Sequence, residues 1–292
     1  MAGGFGYEGS HSETKGLSAD GRVIRVPLHR HEVSLDYWRA EIEAEYTFAR
    51  SWDLVFRLPL DYKDQSSAVR TVDPATPAER ESMLRNMEIH HRNESYKGPG
   101  DVTLMLSHRR YGLFRDGDYL KLSAGATLPS GRTEENPYVL GRAGLRHLHI
   151  QFGTGTVDPY LEAYYRIPLT SRLALGSYFF GRFPAYENGK SFHGAAEVTT
   201  GMNLSYALGP RWMVHGNGTW FRQGYAYWGA ERDINTGLTA ASGLFGATFR
   251  PRERMSIGMD LRFPVTQSTL SPDGDTFKHG LTVLLRISKS FP

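Results

Sequence analysis

Apolar and polar side chains alternate one by one through long stretches of this chain. In RAEIEAEYTF, residues 39–48, charges occupy Arg39, Glu41, Glu43 and Glu45, with Ala40, Ile42, Ala44, Tyr46 and Phe48 in the other parity class. Ala and Glu favour helices, but a helix would set Ile42 among glutamates. A period of two separates the residues cleanly, since successive strand side chains point to opposite faces. The pattern predicts a strand with one apolar and one acidic face.

The same alternation recurs along the chain. Leu54, Phe56, Leu58, Leu60 and Tyr62 oppose Asp53, Arg57 and Asp61, while Leu120, Leu122, Ala124, Ala126 and Leu128 oppose Lys121, Ser123 and Thr127. In the second half, Leu161, Ala163, Tyr165 and Ile167 oppose Asp158, Glu162 and Arg166, and Met255, Ile257, Met259, Leu261 and Phe263 oppose Ser256, Asp260 and Arg262. Eleven such segments and a weaker one at GGFGYEG make roughly twelve strands. Tight turns at 49–52, 113–118, 168–171, 208–211 and 250–253 alternate with long or polar connections, the rhythm of short turns at one barrel rim and long loops at the other. The longest loop, 65–98, should hold a short helix as a lid or rim element: Thr76 is placed as N-cap, Pro77 at the first helical position and Glu79 at the third, a capping box.

Half-apolar strands must close into a ring, because unpaired edge groups cannot stand in hydrocarbon and invite aggregation in water. Two closures exist, one with the apolar parity inward, as in a soluble barrel, and one with it outward, against lipid. The other parity decides, since Glu41, Glu43, Glu45, Arg57, Glu162, Arg166, Arg182, Asp260, Arg262 and Arg286 mix both signs and could pair across a wet lumen. Aromatics such as Trp38, Trp52, Tyr62, Tyr111, Trp212, Trp220 and Trp228 fall mostly near strand ends or in loops, as interfacial girdles do. The expectation is one domain, residues 1–292: an all-β, up-and-down antiparallel transmembrane barrel of about twelve strands.

Composition fits a wet interior. Hydrophobic residues are 40%, below the usual share, while glycine (32 residues) and aromatics (12%) are generous. The chain has no cysteine, so disulfides, thiolate zinc sites and cysteine nucleophiles are excluded. A net charge of +3 without a basic block gives no support to nucleic-acid binding. No apolar run is long enough for a membrane helix, and the first residues do not read as an export leader. For a bacterial outer-membrane protein, such a leader is expected to have been removed.

Three motifs carry a resemblance. GPGDVTLMLSHRRYGL, then LKLSAGATLPSGR, then FGTGTVDPYLEAYYRIPL resemble the pattern of outer-membrane barrels of the phenol meta-degradation transporter type, over about residues 35–170. In these a Gly-Asp opens one strand, a Leu-Pro-x-Gly ends the next, and a Gly-x-Gly-x-x-Asp begins a third. The resemblance implies an outer-membrane channel for small, aromatic or apolar compounds. Each motif also has a local reason: Gly100 and Asp101 suit a turn, Pro129 and Gly131 end a strand, and Gly153, Gly155 and Asp158 let a loop rejoin the wall. Without a following helix, the Gly-x-Gly-x-x-Asp is not a dinucleotide site.

Histidines add candidate chemistry. His29 and His31, His90 and His91, and His147 and His149 are read as lying in connections on the outer side, where they would be polar loop residues or a Zn or Cu site, with His90, His91, His147 and His149 as the candidate ligands. His215, in HGNGTW, is the nearest candidate for a lipid-directed hydrolase, but no serine is spaced to serve it. The reading is therefore not an enzyme and needs no cofactor. Its partners are outer-membrane lipid and a small solute. The alternative is a non-conducting barrel that docks a periplasmic or surface protein.

Overall fold

The computed structural model describes residues 2–148, 150–272 and 278–291, and of residues 2–8 the backbone alone. Twelve long strands form the wall among these residues: β1 (Ala2–Leu17), β2 (Val23–Ala49), β3 (Trp52–Thr71), β4 (Val102–Tyr111), β5 (Tyr119–Leu128), β6 (Asp158–Pro168), β7 (Leu173–Arg182), β8 (Glu197–Ala207), β9 (Trp212–Gln223), β10 (Leu238–Arg252), β11 (Met255–Thr269) and β12 (Thr282–Lys289). Each pairs antiparallel with the next in sequence. The ring closes through β1, which pairs with β2 along its length and sets Ala2, Gly3 and Gly4 against Leu285, Leu284 and Val283 of β12. This contact covers the outer end of the seam: among the described residues, 41–49 of β2 pair with β3 alone.

The orientation follows from burial. Ile42 is 54% exposed, Met259 57% and Ile287 74%, whereas Asp53 and Ser107 are fully buried and Asp260 is 2% exposed. A soluble barrel would reverse these values. The apolar parity faces outward and the polar parity lines the interior, as alternation on a membrane barrel requires. Trp38 and Tyr62 are exposed towards the long-loop side, and Tyr46, Phe48, Trp52, Tyr111 and Trp212 towards the tight turns. Trp38 and Phe48 lie ten residues apart on β2. At ~3.3 Å per residue and a tilt of ~40° that separation is roughly 25 Å, the height of an outer-membrane apolar band. Trp228 is not part of the girdle: it is buried against Phe192, Ala195 and Ala226 in a small core among the long loops.

Three strands overshoot the wall. β2 has 27 residues and β3 has 20, where about 9–11 span a bilayer. With β1, joined to β2 by a tight turn at 18–22 in which the Ser18 amide donates to Arg22 O (2.9 Å), they form a three-stranded extension beyond the outer rim. The span 65–98 is thus only partly a loop, because β3 runs to Thr71 and a short strand, Glu94–Pro99, pairs back onto Leu60–Gln65.

Helix α1 (Pro77–His90) begins as its capping box predicts, Glu79 N donating to Thr76 Oγ1 (3.3 Å) and Thr76 N to Glu79 Oε2 (2.7 Å). It packs on the extension, and its last turn also meets the loop after β5, His147 N donating to Ile89 O (2.9 Å). Met83 and Met87 are buried, Arg85 Nε donates to Leu17 O (2.9 Å), and Asn86 Nδ2 donates to Glu13 Oε1 (2.7 Å). Gly16 permits the approach, since a Cβ there would stand 2.8 Å from Val26 Cγ1 and 3.1 Å from Ser82 Cβ.

A charge in the lipid-facing parity should be costly. Met259→Lys is expected to lower folding stability in liposomes by about 2–4 kcal/mol, the cost of a lysine near the midplane. Denaturant titration against a tight-turn control such as Glu253→Lys, expected to be near neutral, checks the assignment.

Candidate functional site: the charged interior and an outer histidine cluster

Ion pairs cross the lumen. Arg57 on β3 donates through Nε to Glu43 on β2 (2.6 Å) and through both terminal nitrogens to Glu162 on β6, the Nη2 to Oε2 distance being 3.1 Å. β3 and β6 are three strands apart, about 14 Å along the wall at ~4.8 Å per strand. The contact therefore runs as a chord through the interior. Lys121 on β5 reaches Glu45 on β2 in the same way (2.6 Å). Arg109 pairs with buried Asp53 (2.8 Å), Arg39 grips Asp61 through two nitrogens (2.7 and 2.9 Å), and Arg182 meets Glu197 (3.1 Å).

On the opposite wall Asp260 accepts from His215 Nε2 (2.7 Å) and Arg286 Nη2 (2.7 Å). β10 runs between these strands, and only glycine fits where they touch: a Cβ on Gly246 would stand 1.9 Å from Asp260 Oδ1 and 2.6 Å from His215 Nε2. His215 thus belongs to an inward charge network, and among the described residues no serine hydroxyl bonds it.

The interior residues expected from sequence fall into two groups. Glu43, Glu45, Arg57, Glu162, Arg182, Asp260 and Arg286 are brought into pairs. Arg262 instead donates to Ser242 Oγ (3.0 Å), and Arg166 makes no ion pair among the described residues. Glu41 lies on the same inward face of β2, opposite Pro59. Asp61, Lys121 and Glu197, in the inward polar parity by sequence, complete these pairs, and Arg39, Arg109 and His215 are the partners that the sequence reading did not place in the lumen.

The three sequence motifs meet in one junction at the outer end of the lumen. The buried Asp101 carboxylate accepts from Gly131 N (2.9 Å), Thr154 N (2.8 Å) and Thr154 Oγ1 (3.1 Å), and Asp158 accepts from Thr156 Oγ1 (2.5 Å). A Cβ on Gly131 would stand 2.7 Å from the Phe152 carbonyl, and one on Gly153 would stand 2.1 Å from Asp101 Oδ1. The loop 129–157 is pinned to the wall by these contacts. It sets Phe152 under Lys63 and Arg132, 4.5 and 5.4 Å from the ring centre, and Lys63 Nζ donates to Gln151 O (2.7 Å).

Histidines gather on the extension. His11 on β1 stands directly opposite His31 on β2, and their ring centres are 5.0 Å apart. His90 ends α1 and His91 caps it. The ligand atoms of His11, His31, His90 and His91 lie within 4.8 Å of one another, and Glu13, His29 and His31 form a second, overlapping set. Glu13 Oε1 is 3.3 Å from His31 Nε2, 3.8 Å from His29 Nε2 and 3.9 Å from both His11 Nε2 and His90 Nε2. Burial pushes the Glu13 carboxyl above its ordinary pKa, against the opposing pull of His11, His29 and Lys15.

Of the sequence candidates, His90 and His91 sit in the cluster, and His147 stacks on His90 (5.7 Å, 8°) while its Nδ1 contacts Leu145 O (2.8 Å). His149 lies outside the described residues. His29 and His31 are strand residues rather than loop residues. The spacing of His11 with Glu13 and of His29 with His31, each two apart and so on one strand face, is the signal that would have found the missing members.

Comparison with solved structures places the fold. The COG4313 outer membrane channel from Pseudomonas putida F1 aligns with a TM-score of 0.54 at 14% identity, covering 99% of this chain and 94% of that one. The NanC porin aligns at 0.45 and 8% (98% and 100% covered), and the CymD monoaromatic hydrocarbon channel at 0.42 and 9% (99% and 88% covered). No family model and no curated protein matches the chain. At these identities the likeness is one of fold. The chain has the fold of a bacterial outer-membrane β-barrel, and its lipid-facing belt fits that membrane.

Asp101→Ala should release the junction. Losing a buried carboxylate that holds two amides and a hydroxyl is expected to cost about 2–4 kcal/mol in unfolding experiments. It should also open residues 129–157 to protease while the rest of the barrel stays protected.

Proposed function

We propose that this protein is a narrow outer-membrane channel for small solutes, with selection at the charged chord through its lumen. The observation that carries the reading is Arg57, held between Glu43 and Glu162 so that guanidinium and carboxylates stand in the path. Rings of fixed charge in a confined pore select permeants by sign and by how readily they replace water. The wall around the chord is mainly polar, from Ser107 and Ser123 (Oγ to Oγ 2.7 Å) to Tyr178 and Asn217 (2.9 Å), with Val55 and Met105 buried beside them. Small aromatic compounds are the cargo class we favour. At the outer end Lys63 and Arg132 already stack on Phe152, and Lys63 also lies 5.4 Å from the Tyr37 ring centre, the kind of contact an aromatic solute would share.

A docking role is the second reading. It is favoured by the extension of β1–β3 with α1, which reaches beyond the outer rim and would give a surface protein something to hold. Planar bilayers separate the two, since a folded barrel that stays silent at every voltage supports docking and opposes transport. In the channel reading, Glu43→Lys changes the chord by two charges. At ~7 Å in water this shifts a monovalent cation and an anion by about 1 kcal/mol each in opposite directions, so the cation-to-anion permeability ratio should fall by about thirty- to sixtyfold. An unchanged ratio in an open channel contradicts selection at the chord.

A further inference from the structure

We propose that the histidine cluster on the extension is a binding site for one divalent transition-metal ion, with His11, His31, His90 and His91 as its ligands and the Glu13 carboxylate beside them. The inference stands whether or not the barrel conducts. Four imidazoles drawn from three elements converge with their ligand atoms within 4.8 Å, and a single carboxylate oxygen lies among them, 3.3 Å from His31 Nε2 and 3.9 Å from His11 and His90. Tetrahedral zinc holds each nitrogen at about 2.0–2.1 Å, hence neighbouring nitrogens about 3.4 Å apart. Closing the set needs movements of about an ångström, within side-chain reach. Four imidazole nitrogens suit zinc, copper or nickel and suit calcium or magnesium poorly.

The scaffold favours such a site. His11 and His31 are fixed as a directly opposed pair on β1 and β2. α1 is anchored by Arg85 on Leu17 O and by Asn86 on Glu13, which brings its last turn, with His90 and His91, onto the strands. Two rings flanking the set are held by carbonyls, His29 Nδ1 lying 3.0 Å from Pro27 O and His147 Nδ1 2.8 Å from Leu145 O. His29 Nε2 stands 3.1 Å from His31 Nε2. An ion here would tie α1 to β1 and β2, coupling metal availability outside the cell to the order of the outer extension.

Zinc titration of the chelator-stripped, folded barrel in detergent tests this. One saturable ion per chain is expected. Affinity should fall at least about tenfold in His31→Ala and in the double variant His90→Ala with His91→Ala, and less in His147→Ala. Zinc should also slow hydrogen exchange across 77–90 in the native protein. Should a variant fail to fold, cobalt on the native barrel decides: strong visible bands of a tetrahedral ion are expected, and the weak bands of an octahedral one overturn the site. Absence of saturable zinc binding, equal affinity in folded His31→Ala, or binding without protection of α1 overturns it as well.

Discussion

A backbone amide in hydrocarbon has no water to turn to, and this constraint organises the whole molecule. Every strand in the membrane must have a neighbour on both sides, so the sheet must return to its start. In this chain the return is made at the outer end by β1, bonded to β2 as far as Ala40 and to β12 over Ala2–Gly4, while among the described residues 41–49 of β2 pair with β3 alone. Once the ring is closed, alternation does the rest. One residue in two meets lipid, the next meets the interior, and a slip of one residue would exchange the two sets entirely.

The interior then has to solve an electrostatic problem. Charges removed from bulk water are costly unless paired, and the barrel pairs them across strands rather than along them. Arg57 with Glu43 and Glu162, Lys121 with Glu45, and Asp260 with His215 and Arg286 are contacts between residues distant in sequence. Glycines such as Gly246 make room for them. Pairing and permeation thus share the same residues, because a guanidinium that satisfies two carboxylates across a lumen also stands in the way of whatever passes. The junction around Asp101 adds a second element by holding loop 129–157 at the outer end.

The wall was legible in the sequence for a physical reason. Residues 39–48 or 255–263 alternate because they touch two solvents, and that signal needs no knowledge of partners. The tight turns and the capping box at Thr76 were legible in the same way. Less legible was β1, where GGFGYEGSHSETKGL has few apolar residues and lies mostly outside the membrane, so that lipid does not enforce alternation there. The same holds for residues 23–35 of β2, whose neighbours are β1, β3 and α1 rather than hydrocarbon. The pairing of charges could be foreseen only as a set, since parity tells which residues face inward and not which cross the ring. His90 and His91 were found as a pair, but their convergence with His11 and His31 depends on where α1 docks. The motifs at 100–101, 129–131 and 153–158 each had a local explanation, yet their common role as one interlocked joint appears only in three dimensions.

The orientation of the two strand faces can be read directly, because the chain has no cysteine of its own. Single cysteines placed at successive positions 41–46 of β2, in protein folded into liposomes, would be probed with a membrane-impermeant thiol reagent and, after fluorophore attachment, with a lipid-borne quencher. Positions 42, 44 and 46 should be quenched by lipid and resist the aqueous reagent, while 41, 43 and 45 react and escape quenching. The opposite alternation, or none, would contradict the barrel described above.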